Sequence, residues 1–187
     1  MGEVVRIDDW AWRRPQRARS RLQRALAVVE PMQREAVLGL LTVFAPLAER
    51  FWDHGGPVWT VASDEALMAS LKGMPFAEFP DDGLVALALE AGYTIGEAWH
   101  FKAVLPHFLA GAFARPLENW VLDPDLLKAK LETLGFETWP PAERRAVALA
   151  LAVYAQHEID LADGPDALDS TLIAAKRWAE EELAAAL

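Results

Sequence analysis

The chain has 187 residues, 53% of them hydrophobic and 25% charged, with a formal net charge of −10. That composition suits one globular domain with an ample core and excludes a disordered chain. With no cysteine, disulfides, thiolate nucleophiles and cysteine metal sites are excluded.

The charge is unevenly placed. Residues 1–50 carry a net of +3 and residues 51–187 a net of −13. The start, "MGEVVRIDDWAWRRPQ", has no apolar leader pattern, and the expectation is a cytoplasmic protein. The longest uninterrupted apolar run, "AVALALAVYA", is half of the roughly 20 residues that a membrane span requires. No membrane association is expected. Uncharged polar residues are few: four serines, four glutamines and one asparagine. Enzyme pockets converge such groups in an apolar cleft, so their scarcity argues against an enzyme.

In chain order the apolar period is helical almost throughout. The segment "RRPQRARSRLQR" holds six arginines: Arg13, Arg14, Arg17, Arg19, Arg21 and Arg24. A helix is predicted from Pro15 to about Glu30, because proline suits a first turn. Ala18, Leu22, Ala25, Leu26 and Val29 share its apolar stripe, and Arg14, Arg17, Arg21 and Arg24 border it. A second helix is predicted from Pro31 to about Trp52, with a kink at Pro46. "HGGP" ends it and divides a basic helical segment, 1–57, from an acidic helical body, 58–187, packed with it as one domain.

Val58–Ala62 is the only stretch that reads as a strand. Ser63 reads as the N-cap of a helix that Gly73 closes, and a helix from about Asp82 ends at Gly92. Thr94 and Glu97 have capping-box spacing before a long helix to about Ala114 that contains Pro106. Asp123-Pro124 opens a helix that stops at Gly135, and Thr138, Pro140 and Pro141 set up one that reaches about Asp160. "DGPD" leads into a last helix, whose acidic C-terminal end is expected to fray. The predicted fold is all-α: a single compact domain of seven or eight helices with short connections.

Two stretches, "HFKAVLPHFLAGAF" and "LDPDLLKAKLETLGFETWPPAERRAVALALAVY", resemble a family of uncharacterised bacterial all-α proteins. In that family a "FLPRxLELL"-like helix precedes "DPExLxxKL" and "TWPxxEREAV". The matching residues are Phe101, Leu105, Pro106, Phe108, Leu109, Asp123, Pro124, Leu127, Lys130, Leu131, Trp139, Pro140, Glu143 and Arg144. The likeness spans about residues 82–156. It implies a helical domain and carries no active-site residues with it. Asp123 is expected to cap a helix, and Trp139 to act as a hydrophobic staple.

Candidate chemistry is sparse. Glu97 and His100 have the Glu-x-x-His spacing of di-iron bundles, but no second such motif exists. His107 lies seven residues on, about 10 Å along the helix axis and too far to share one ion with His100. The polar candidates are thus Glu97, His100 and His107, with helix capping as the plainer reading. Asp160, Asp163, Asp166 and Asp169 fail the spacing of a calcium loop. No nucleophile elbow, P-loop or dinucleotide-binding glycine pattern occurs. No catalytic residue, cofactor or metal is therefore expected. Trp52, Trp99, Trp139 and Trp178 read as core, while Trp10 and Trp12 lie ahead of the first helix, placed either to pack down on the fold or to bind something.

The arginine segment, with Trp10 and Trp12, is left as the candidate interaction element. Its arginines suit carboxylates of this chain, a second copy or another protein. Phosphate is the competing ligand, opposed by the acidic body. A metal-dependent enzyme using His100 and His107 is the weakest alternative. The expectation is a non-catalytic helical interaction or regulatory protein, with self-association or a protein partner.

Overall fold

The computed structural model describes residues 22–53, 56–58, 63–75, 79–114, 122–162 and 170–185. Eight helices stand among them, and no strand does. The first, α1, covers residues 22–28. It is followed by α2 (Pro31–Arg50), α3 (Ser63–Leu71), α4 (Asp81–Glu90), α5 (Ala98–Ala114), α6 (Pro124–Thr133), α7 (Pro141–Leu161) and α8 (Ser170–Ala185). A 3-10 turn, Phe136–Thr138, joins α6 to α7.

The centre of the domain is α5. "FKAVLPHFLAGAF" is apolar on every side apart from Lys102 and His107, and such a helix is stable only when covered all round. It is covered by α2, α4 and α7. Phe101, Val104, Leu105, Phe108 and Leu109 are fully buried there. The other helices extend the same core, with α8 against α7 and α6 against α7 and α8. One contiguous cluster runs from Val29 through Leu40 and Phe44 to Tyr154 and Ala179. α2 therefore shares a single core with the helices that follow it.

Helix ends follow local chemistry. Asp123 caps α6, its Oδ1 accepting from the Leu126 N–H at 2.8 Å, and Pro124 takes the first turn. Gly92 ends the α4 region at φ 83°, and a Cβ there would strike Leu134, so both shape and space demand glycine.

Several boundaries differ from the sequence reading. Ser63 is the first residue of α3. The Thr94–Glu97 capping box does not form: the Thr94 hydroxyl donates to Glu90 at 2.8 Å, and α5 begins only at Ala98. Thr138 turns its hydroxyl back to the Gly135 carbonyl, leaving α7 to start on Pro140 and Pro141. α2 ends at Arg50, short of Trp52, and includes Pro46. Val58 is exposed coil, and the rest of the strand expected at 58–62 lies outside the described residues. α1 ends at residue 28, one turn before α2, and the Arg34 side chain donates to the Leu26 carbonyl across that turn at 2.7 Å.

Leu40 is fully buried on α2, on the helix that faces both α5 and α7. Replacing it with alanine should cost about 2–5 kcal/mol, read as a lower urea midpoint at unchanged slope.

Candidate functional site: buried polar groups and an open helix face

Most of the candidate interaction element lies outside the described residues. Trp10, Trp12, Arg13, Arg14, Arg17, Arg19 and Arg21 all fall there, as do Asp163, Asp166 and Asp169. Arg24 is described and stands exposed on α1.

The polar candidates of the body are placed clearly. Glu97 precedes α5, and its backbone N–H donates to His100 Nδ1 at 2.9 Å. His100 is the third residue of that helix and reaches back to satisfy an end N–H, a task usually given to Glu or Gln. Gly96, at φ 64°, leaves the room the ring occupies, since a Cβ at that position would collide with it. The imidazole stacks on Trp99 at 3.6 Å between centroids and meets the edge of Phe51 at 5.4 Å. Burial pulls its pKa down, against the charge of Glu97. The Glu-x-x-His spacing thus serves a helix start. His107 is two turns further along α5. Part of the residue reaches the surface, yet desolvation holds its pKa down to about 4. Among the described residues, no group of three or more acidic or histidine side chains is arranged to hold a metal ion.

Four arrangements were not foreseen. Gln33 Oε1 accepts from the Glu30 N–H at 3.0 Å, which directs its amide nitrogen to His157 Nδ1, also at 3.0 Å. This ties the start of α2 to α7, and it requires a neutral His157 whose Nδ1 accepts. Lys130, buried on α6, donates to the Leu89 carbonyl of α4. Its ammonium lies 4.0 Å from the centre of the Tyr93 ring and 5.1 Å from that of Phe101. Burial lowers its pKa to about 8, opposed by Glu90. Lys102 pairs with Glu143 at 2.5 Å and rests 3.9 Å over Trp139, joining α5 to α7. Arg144 pairs with Glu182 at 2.5 Å, joining α7 to α8.

These contacts give physical content to the family-like pattern. Trp139 is buried, and its indole N–H donates to the Leu134 carbonyl at 3.1 Å. Trp52, Trp99 and Trp178 are half-buried at the margin of the core, a correction to their reading as core. Lys130, Trp139, Glu143 and Arg144 all hold one element to another. The signal for them was present in the sequence as a pattern, but their partners lie far away in the chain.

One carboxyl stands apart. Glu158 on α7 has a buried Oε1 with no hydrogen-bond partner. Desolvation first, and Asp123 second, push its pKa up to about 7. One turn before it, the Tyr154 hydroxyl donates to the Leu122 carbonyl at 3.2 Å and is held well above the ordinary tyrosine range by burial.

The other feature is apolar. The side of α2 turned away from α5 and α7 is open: Leu38, Thr42, Ala45 and Pro46 are exposed. From Ala36 to Ala48 the helix carries no charge on any side. Near its start Met32 is 64% exposed, and Val28 at the end of α1 is 72% exposed. None of the described helices is long and apolar enough to cross a membrane. Comparison with family models, curated proteins and solved structures gives no match to this chain.

His107 and Glu158 act on stability in opposite directions. A histidine with a depressed folded pKa loses stability as pH falls from about 6.5 towards 4, because the unfolded chain takes the proton first. A glutamate with a raised folded pKa loses stability as pH rises from about 4.5 to about 7, because the folded chain keeps the proton longer. The two largely cancel between about pH 4.5 and 6.5. Glu158→Gln should remove one arm, so stability should climb by about 1–3 kcal/mol across that window. His107→Gln should turn the slope the other way, towards stability lost as pH rises, with His100 and His157 opposing Glu158, and urea titrations at stepped pH read both slopes.

Proposed function

We propose that this chain is a non-catalytic helical interaction protein. Its basic segment, carrying Arg13, Arg14, Arg17, Arg21 and Arg24 with Trp10 and Trp12, contacts carboxylates of a polypeptide, either a second copy or a protein partner. The observation that supports this most is the open uncharged side of α2, which follows the arginine segment directly in the chain. An uncharged stretch of helix is stable when covered, and among the described residues α2 packs on α5 and α7 while Leu38, Thr42, Ala45 and Pro46 stay exposed. Among the described residues, His100, Lys102, Lys130 and Arg144 are engaged in contacts that hold the fold together. A cysteine-free chain fits a reducing compartment, and cytoplasmic residence is part of the same proposal.

Removing residues 1–21 tests the reading while leaving the core residues from Val29 onward in place. The truncated chain should melt several degrees lower or lose mass in solution relative to the full chain. Unchanged melting together with unchanged mass would contradict the proposal. Fluorescence anisotropy with labelled duplex DNA and single-stranded RNA should show no binding at low salt. Tight binding that weakens steeply with salt would hand the arginines to phosphate instead.

A further inference from the structure

We propose that Gln33 and His157 form an acid-released clasp that holds the start of α2, and with it the turn back to α1, against α7. The clasp does not depend on what the basic segment contacts. It begins with one side-chain amide between two neighbours. The Glu30 N–H donates to Gln33 Oε1 at 3.0 Å, and Gln33 Nε2 stands 3.0 Å from His157 Nδ1. A backbone N–H can only donate, so the amide oxygen has to lie on the Glu30 side. The amide NH2 therefore faces the ring, and the ring nitrogen opposite it must carry a lone pair.

A proton on His157 Nδ1 removes that lone pair and sets donor against donor. Turning the amide over does not help. Its oxygen would then suit the ring, but its NH2 would meet the Glu30 N–H. No orientation of Gln33 satisfies both neighbours once the imidazole is charged, so one of the two bonds has to break. Gln33 is only 7% exposed, which leaves water little room to take over the lost bond.

Among the described residues, the charged groups that face His157 are Asp160 on its own helix and Glu30 at the start of α2. From α5 the ring meets the edge of Phe113, at 5.6 Å between centroids. Both carboxylates favour the charged ring, yet burial outweighs them and holds the pKa below the ordinary histidine value. The contribution of such a group is whole above about pH 6.5 and is lost as pH falls through the folded pKa. The same carboxylates give the charged ring somewhere to turn, away from Gln33.

Release is local. Val29, next to Glu30, is buried in the core and keeps the turn near it. The Arg34 side chain, on the first turn of α2, holds the Leu26 carbonyl of α1. Loosening that first turn therefore reaches α1, the helix into which the arginine segment runs.

Residue-level amide exchange, corrected for the intrinsic effect of pH, reads the clasp at the Glu30 N–H. In the wild-type chain the protection of Glu30 should fall about tenfold between about pH 7.5 and pH 5, while Val104 in α5 reports any change in the whole fold. His157→Asn keeps an acceptor near the place of Nδ1 and does not titrate, so protection there should stay level with pH. Gln33→Glu places an acceptor on both sides and calls for the charged ring. Its protection should rise as pH falls, and the His157 titration followed by NMR should move up by about one unit. Wild-type protection that stays level, or that falls equally in His157→Asn, would overturn the clasp. So would a fall in Gln33→Glu that matches the wild type.

Discussion

Burial of α5 on all sides is the constraint from which the rest of the domain follows. A helix whose residues from Phe101 to Phe113 are almost wholly apolar has no face to offer water. Neighbours must be supplied on every side, and α2, α4 and α7 supply them. Each polar group drawn into that packing must then be neutral or partnered. His100 accepts a backbone N–H, Lys102 takes Glu143, and Lys130 finds the Leu89 carbonyl. Glu158, whose buried Oε1 has no hydrogen-bond partner, is an exception among these groups.

The same constraint explains why α2 stands out. Its inner side, Ala36, Val37, Leu40 and Phe44, is committed to the core. Its outer side continues apolar where a surface helix ordinarily turns polar. A half-buried glycine, Gly39, and an exposed threonine, Thr42, in the middle of the helix lower its intrinsic stability.

Legibility of the sequence varied with the range of the interaction. Helices and most ends were readable because their signals are local: Asp123-Pro124 capping α6, Gly73, Gly92 and Gly135 at positive φ, and the apolar period of α5 and α7. Misreadings at Thr94, Glu97 and Thr138 came from hydroxyls and histidine with two local uses, where tertiary packing decides between them. Nothing local marks the Gln33–His157 tie, whose members are 124 residues apart. Nor does anything local reveal that Glu158 is desolvated beside Asp123, since α7 and the start of α6 meet only in the fold. The arginine segment, with Trp10 and Trp12, was the strongest compositional signal, and of its arginines and tryptophans all but Arg24 lie outside the described residues.

Amide hydrogen–deuterium exchange, followed at several protein concentrations, tests the account most directly. A core organised around α5 predicts the slowest exchange in Phe101–Phe113 at every concentration. Exchange in α5 no slower than in α8 would contradict it.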